Sequence, residues 1–158
     1  MKIRKISPQD DQQIAEIIRE VLTEFGANRP GFAWQDPELD RLSEVYTDRR
    51  SGYWVAELEG TVVGGVGIAP FECHWPSTCE LQKMYLKPSC RGKGVGQALL
   101  AQALAFAEEA GFHHCYLETF GPMSQAQNLY RRHGFEALDG PWGNSGHNSC
   151  DCWMMKAL

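Results

Sequence analysis

The sequence predicts one α/β domain over residues 1–158, built from a mixed sheet flanked by helices. Segments with strand periodicity and segments with helical periodicity alternate in the order β-α-α-β-β-β-α-β-α-β-β. A length of 158 residues suits one domain, and a hydrophobic content of 43% provides a core without a metal or a disulfide.

The chain opens with a strand and two helices. Lys2–Ile6 alternates polar and apolar residues, which is typical of a half-buried strand. Ser7 and Pro8 suit the start of a helix, whose apolar residues recur at helical spacing as far as Gly26. Asp36–Tyr46 begins with an Asp-Pro pair and predicts a second helix.

Three predicted strands follow. Tyr53–Leu58 and Thr61–Ala69 form a hairpin around the turn Glu59-Gly60. Thr78–Lys87 is the third strand, and Pro88 ends it. The second strand of the hairpin contains three glycines, which either weaken it or let another group approach the backbone closely: Gly64, Gly65 and Gly67.

The second half of the chain alternates helices with strands. Gly94–Ala110 is rich in Ala and Leu and predicts a strong helix, and Gly121–His133 predicts a shorter one. The strands between and after these helices are His113–Thr119, Phe135–Leu138 and Cys150–Lys156.

Charge and composition exclude several classes of partner. Fifteen basic and twenty acidic residues give a net charge of -5, whereas nucleic-acid binders of this size usually carry an excess of cations. No apolar run has the length of a membrane span, and the N-terminal segment lacks the apolar run of a signal peptide. The six cysteines are therefore expected to be reduced thiols of a cytoplasmic protein.

A glycine-rich turn between a strand and a helix is the most informative stretch of the sequence. It reads Arg91-Gly92-Lys93-Gly94-Val95-Gly96-Gln97. Glycines let several backbone N–H groups converge, and the N-terminus of a helix adds partial positive charge. Arg91 and Lys93 add full positive charges, so the turn meets the requirements of a diphosphate-binding loop.

The spacing of the glycines narrows the choice of ligand. The Walker A pattern is absent, which disfavours a P-loop NTPase. A dinucleotide-binding fingerprint needs a third Gly or Ala at position 97 or 99, and these positions hold Gln97 and Leu99. A plain strand-to-helix turn is the remaining alternative, but it requires fewer glycines than are present.

The pattern Arg91-x-x-Gly94-x-Gly96 resembles the acyl-CoA pyrophosphate loop of the GNAT superfamily of N-acetyltransferases, bacterial type. About 30 residues later, Ala126-x-x-Leu129-Tyr130-x-x-x-Gly134-Phe135 is similar to a second signature of that superfamily. The family often has Asn seven residues before this Tyr, where this chain has Met123. Ser124 and Asn128 are the candidates for the missing contact to the cofactor arm.

The resemblance implies a GNAT-like acyl-CoA N-acyltransferase fold and acetyl-CoA as the cosubstrate. In this superfamily the acyl group passes directly to an amine, and no nucleophile elbow is present in the sequence. The strand Thr78–Lys87 would bind the pantetheine through backbone groups near Met84 and Leu86. The pyrophosphate would lie on the glycine-rich turn, at Arg91, Gly92, Lys93, Gly94, Val95, Gly96 and Gln97.

The attacking amine must lose a proton, because an alkylammonium with a pKa of about 10.4 is neutral in only about one part in a thousand near pH 7. Some members of the superfamily carry a catalytic Glu eleven residues before the loop motif, and Glu80 stands at that distance from Arg91. A charged strand-end residue that faces solvent is the competing interpretation of Glu80. Glu118 is the reserve candidate for the base.

The resemblance places Tyr130 beside the departing CoA thiolate. An ordinary Tyr, with a pKa of about 10, is a weaker acid than a thiol at about 8.5, so full proton transfer is uphill by about 2 kcal/mol. Either the pKa of Tyr130 is lowered or its hydroxyl stabilises the thiolate by hydrogen bonding. On residue type alone, a half-buried core aromatic is the simpler interpretation.

A metal site is the other chemistry considered for the C-terminal segment. His147-x-x-Cys150-x-Cys152 contains good zinc ligands, but it lacks the usual cysteine pairs and a fourth ligand. Cys150, Cys152 and Met154 also alternate along a predicted strand, which packing alone explains. No metal is therefore predicted.

The sequence predicts an N-acetyltransferase that moves an acetyl group from acetyl-CoA to an amine of a small molecule or amino acid. A peptide or protein amine is the alternative acceptor, and a non-catalytic acyl-CoA-binding regulatory module is the alternative class. GNAT proteins are often dimers, so a homodimer stays open. The superfamily forms acceptor pockets from the last hairpin and the loop between the first two helices, which makes the candidates Asn28, Arg29, Trp34, Trp142 and His147.

Overall fold

Seven strands form one mixed sheet in the computed structural model of the protein, which describes residues 1–158. Their bounds are β1 (Lys2–Lys5), β2 (Gly52–Leu58), β3 (Thr61–Pro70), β4 (Thr78–Leu86), β5 (His114–Thr119), β6 (Glu136–Leu138) and β7 (Cys152–Ala157). They lie in the order β1-β2-β3-β4-β5-β7-β6, and only β4 and β5 are parallel neighbours. The predicted strands and the mixed character of the sheet are confirmed.

Four α-helices cover the two faces of the sheet: α1 (Asp11–Glu24), α2 (Leu42–Val45), α3 (Val95–Glu109) and α4 (Ser124–Arg132). On one face, Leu99 and Leu100 of α3 are fully buried in a hydrophobic core. On the other face, Ile14 and Ile18 of α1 are buried in a second core. None of these helices has the length and apolar character needed to cross a membrane.

The predicted second helix, Asp36–Tyr46, is shorter than expected. Leu39–Arg41 forms a 3-10 turn, and only Leu42–Val45 is α-helical. The backbone of Arg41 leaves the helical region, with φ at -145° and ψ at 41°. One continuous helix over the predicted range is therefore interrupted at this residue.

The glycines of β3 make room for two tyrosine rings. A Cβ atom at Gly65 would lie 2.5 Å from Cε1 of Tyr53, and one at Gly67 would lie 2.8 Å from Cζ of Tyr46. Both distances are shorter than van der Waals contact allows. Of the two roles predicted for these glycines, the close approach of another group is confirmed.

The pairing of β4 with β5 ends early. The register runs from Thr78 to Glu80 on β4, and the last pair joins Glu80 to Tyr116. On the opposite edge of β4, the register with β3 shifts, and Lys83 in the shifted segment has a φ of 48°. Residues 81–86 of β4 therefore pair with a strand on one side only, and the candidate site lies on the other side.

Candidate active site

An open groove with a volume of about 670 Å³ runs from the unpaired edge of β4 to the first turns of α3 and α4. Eight of the residues predicted to bind the cofactor line this groove: Met84, Leu86, Arg91, Gly92, Gly94, Gly96, Gln97 and Asn128. The structure thus brings together side chains from two separate sequence motifs. A volume of this size falls within the range of ligand-binding clefts.

Two predicted cofactor residues, Lys93 and Val95, do not line the groove. Val95 is 1% exposed and packs in the core beneath α3, so only its backbone faces outward to a ligand. The side chain of Lys93 is exposed to solvent. Met123, which stands where the family often has Asn, lines the groove beside Ser124.

The glycine-rich turn presents a run of free backbone donors. The N–H groups of residues 92–97 donate no hydrogen bond within the protein. Gly92 and Gly94 have φ values of 76° and 82°, in the left-handed region that favours glycine. Successive N–H groups in such alternating turns form a concavity that binds anions, and the N-terminus of α3 adds partial positive charge. The turn therefore fits a diphosphate group.

The Arg91 guanidinium lies beside this turn and is paired with α1. It donates to both carboxylate oxygens of Glu24, at 2.7 Å and 2.9 Å, and lies 5.4 Å from the centroid of the Phe25 ring. Glu24 and Phe25 line the same groove. Glu24 is therefore the group with which an anionic ligand would compete for Arg91.

A smaller cavity of about 60 Å³ adjoins the groove on the side of α1. Four residues line both spaces: Met84, Tyr85, Met123 and Tyr130. Two carboxylates, Glu80 and Glu118, line only the smaller cavity. The two spaces therefore meet at a boundary that includes Tyr130, with the carboxylates lining one space and the glycine-rich turn lining the other.

Glu80 is 6% exposed, although it lies on a sheet strand that borders the cavity. Its Oε1 atom accepts a hydrogen bond from Nε2 of Gln82 at 2.9 Å, whereas its Oε2 atom is buried and has no partner. The Tyr46 hydroxyl donates to Oε1 of Gln82 at 2.8 Å, which orients the amide toward Glu80. The interpretation of Glu80 as a solvent-facing residue is therefore wrong.

Burial raises the pKa of Glu80 from its ordinary value of 4.5 to about 7. The Gln82 hydrogen bond lowers the pKa in part, and the nearby Glu118 carboxylate raises it further. A carboxyl group with this pKa exchanges protons close to neutral pH. The environment of Glu80 therefore suits a general base.

Glu118 is held differently from Glu80. Its Oε2 atom accepts a hydrogen bond from the Tyr116 hydroxyl, and its Oε1 atom accepts one from the Ser145 hydroxyl. Both donors are neutral, so neither balances the charge of the carboxylate. Glu118 therefore brings a fixed, hydrogen-bonded carboxyl group to the cavity.

Tyr130 is 6% exposed and lies at the boundary between the cavity and the groove. Burial raises its pKa above the ordinary value of 10. The hydroxyl is therefore protonated at neutral pH and is a hydrogen-bond donor rather than an acid.

Sequence reasoning missed an ion-pair cluster beside the cavity. Lys83 Nζ lies 2.7 Å from Oδ2 of Asp36, and His147 Nε2 lies 2.9 Å from Oδ1 of the same residue. Among the five predicted acceptor-side residues, only His147 lines the cavity. Asp36 and His147 are 111 residues apart, and no local pattern links them.

The comparison with known proteins identifies the family. The sequence profile of the acetyltransferase (GNAT) family matches residues 14–135. The uncharacterized N-acetyltransferase YjgM of Escherichia coli K12 is 43% identical over 157 residues, which cover 99% of this chain and 94% of that protein. The chain therefore belongs to the GNAT acetyltransferase family. An acetyl-CoA-dependent acyltransferase, as the sequence predicts, is the enzyme class of this family.

Solved structures share the fold over the whole chain. An acetyltransferase of the GNAT family from Staphylococcus aureus Mu50 superposes with a TM-score of 0.85 at 20% identity, covering 99% of this chain and 98% of that one. The PaiA N-acetyltransferase of Thermoplasma acidophilum, in complex with coenzyme A, gives a TM-score of 0.77 at 22% identity with the same coverage. The predicted GNAT-like fold is confirmed.

The raised pKa of Glu80 predicts how stability depends on pH. Between the unfolded pKa of 4.5 and the folded pKa of about 7, the folded state binds more protons, so stability falls as pH rises through this range. Glu80→Gln removes the ionisation and keeps an acceptor for Gln82. From pH 4.5 to pH 8.5, we expect the free energy of unfolding of wild type to fall by on the order of 2–3 kcal/mol relative to that of Glu80→Gln.

Urea denaturation at these two pH values measures the effect. Glu44→Gln, at a glutamate with 67% side-chain exposure, is the matched control and should leave the pH dependence unchanged. An equal pH dependence for wild type and Glu80→Gln would contradict a raised pKa.

Proposed function

We propose that the protein acetylates an amine of a small molecule or amino acid, with Glu80 as the general base and Tyr130 as a hydrogen-bond donor to the departing sulfur. The observation that carries this proposal is the junction at Tyr130. There, a cavity with the unpartnered Glu80 Oε2 atom meets a groove with free backbone donors.

The groove supports binding of the cosubstrate. The N–H groups of residues 92–97 would hold the pyrophosphate, and Arg91 would exchange Glu24 for it. The backbone of β4 near Met84 and Leu86 has no strand on its β5 side and would bind the pantetheine. Acetyl-CoA supplies the activated acyl group, whose C–S bond breaks as the amine forms a new C–N bond.

Glu80 would take the proton that the ammonium group must lose before attack. Its pKa of about 7 is close to the operating pH, which is the condition for an efficient general base. Gln82 holds the Oε1 atom, so the free Oε2 atom is the one available to the amine or to a bridging water. The amine loses a second proton after attack, and of the two protons one ends on the CoA sulfur and one in solvent.

Tyr130 would act through its protonated hydroxyl. Because burial raises its pKa, full proton transfer to the sulfur is less favourable than for an ordinary tyrosine. Of the two roles that the sequence left open, the structure therefore favours a hydrogen bond to the developing thiolate.

The domain organisation, the cellular location and the alternatives to the main assignment also belong to this proposal. The chain would act as one domain, and six free thiols support a cytoplasmic protein. A homodimer and a peptide or protein acceptor stay alternatives. The retained carboxylate and tyrosine favour an enzyme over a non-catalytic acyl-CoA-binding regulatory module.

Arg91→Ala tests the cosubstrate site. We expect the Kd for acetyl-CoA to rise about tenfold, because a charge-assisted contact to phosphate is lost. Calorimetric titration measures the affinity, with NAD and ATP as controls. Arg19→Ala is the matched variant, since Arg19 forms the same two-point ion pair with Asp40 outside the groove. Equal affinities for the two variants, or no binding of acetyl-CoA to folded protein, would refute the assignment.

The pH dependence of kcat/KM tests the base. The rate should rise with pH through a pKa near 7, because only the ionised Glu80 accepts a proton. Glu80→Gln should lower kcat/KM by about 10²–10⁴-fold and remove this ascending limb. Glu118→Gln should keep the limb, and its loss in that variant instead would assign the base to Glu118.

Tyr130→Phe distinguishes an enzyme from a binding module. We expect kcat to fall by roughly 10–100-fold, because one donor to the leaving group is removed. The Kd for acetyl-CoA should stay within about twofold of wild type. Unchanged turnover would show that the hydroxyl has no role, and absence of turnover in wild type would favour the regulatory module.

A further inference from the structure

We infer that the acceptor is a primary alkylammonium that carries no carboxylate on its α-carbon. This inference rests on the proposed function and narrows its acceptor from amines and amino acids to amines whose reacting end is purely cationic. The argument comes from the charges that line the small cavity and from the partners of each.

Two acidic side chains line the cavity, and neither forms an ion pair with a basic residue. Glu118 accepts hydrogen bonds only from the neutral hydroxyls of Tyr116 and Ser145. Glu80 is bonded only to the neutral amide of Gln82, and its Oε2 atom is buried without any partner. An ammonium group carries several N–H donors and a positive charge, so it supplies what both carboxylates lack.

The basic side chains of the cavity are already compensated. Lys83 and His147 are the only basic residues in its lining, and both face Asp36. The side chain of Lys83 is 7% exposed, with Asp36 at 2.7 Å and Glu38 at 3.9 Å. A buried, paired ammonium of this kind offers little attraction to a second carboxylate.

The consequence for selectivity follows from the geometry of α-amino acids. Their carboxylate is two bonds from the reacting nitrogen, so it would enter the same cavity as the amine. There it would meet Glu80 and Glu118 with no free cation to balance it, and like charges at close range are strongly unfavourable. An acceptor without this carboxylate avoids the repulsion and keeps the attraction.

A matched series of acceptors tests the inference. Tyramine, tyrosinamide and tyrosine share one side chain and differ at the α-carbon, and phenethylamine with phenylalanine forms a second pair. We would measure kcat/KM from the release of CoA thiol at saturating acetyl-CoA. We expect kcat/KM for each acceptor without an α-carboxylate to exceed that of its carboxylate counterpart by about tenfold or more.

The outcomes separate the inference from the proposed function. Equal or better turnover of tyrosine or phenylalanine overturns the inference and leaves an N-acetyltransferase. A tyrosinamide rate as low as that of tyrosine also overturns it, because size rather than charge then decides. If acetyl-CoA binds but none of these amines is acetylated, the inference that the acceptor is a simple alkylammonium is overturned. Failure to bind acetyl-CoA overturns the proposed function itself.

Asp36→Asn tests the inference through a gain of function, namely better use of an acceptor that carries a carboxylate. Loss of the Asp36 charge removes the partner shared by Lys83 and His147 and leaves Lys83 only the more distant Glu38, at 3.9 Å. An acceptor carboxylate could then approach these two basic groups, so the preference for tyramine over tyrosine should shrink about fivefold or more. Asp40→Asn, at an exposed ion pair with Arg19, is the matched control and should keep the wild-type preference. An unchanged preference in folded Asp36→Asn protein would contradict the role given to this ion-pair cluster.

Discussion

Strands β4 and β5 are hydrogen-bonded as far as Glu80 and Tyr116, and beyond this pair one edge of β4 has no neighbouring strand. An uncovered interior edge leaves backbone groups that need partners from another molecule. The same separation creates the groove beside α3 and the cavity beside α1. Because Glu80 belongs to the last pair, the sheet fixes it rigidly at the point where the two strands separate.

The opposite edge of β4 shapes the acceptor side. The register shift against β3 accompanies the left-handed backbone of Lys83, whose carbonyl oxygen accepts a hydrogen bond from the Tyr53 hydroxyl at 2.8 Å. Gly65 leaves the space that the Tyr53 ring needs. The Lys83 side chain then reaches Asp36 in the loop after α1. Gly65 thus makes room for Tyr53, and Tyr53 in turn holds the backbone of Lys83, the residue whose side chain pairs with Asp36 beside the cavity.

Most elements of the fold could be predicted because hydrophobic periodicity and helix breakers are local signals. The glycine-rich turn is recognisable from its own residues, whereas Tyr130 is singled out only because the motif around it resembles a GNAT signature. The interruption at Arg41 and the burial of the Val95 side chain depend on tertiary packing, so they gave no such signal. The pairing of Asp36 with His147 joins loops 111 residues apart, and no spacing rule predicts it.

The acidic groups in and beside the cavity differ in their hydrogen bonds. Both oxygens of Glu118 have donors, and both oxygens of Asp36 have donors. Only Oε2 of Glu80 is left without one, and a buried polar atom without a partner costs about 1–3 kcal/mol. The oxygen without a hydrogen-bond donor is thus the atom that would receive the proton in the proposed function. An incoming ammonium group would donate to this oxygen and remove the free-energy cost of leaving it unpaired.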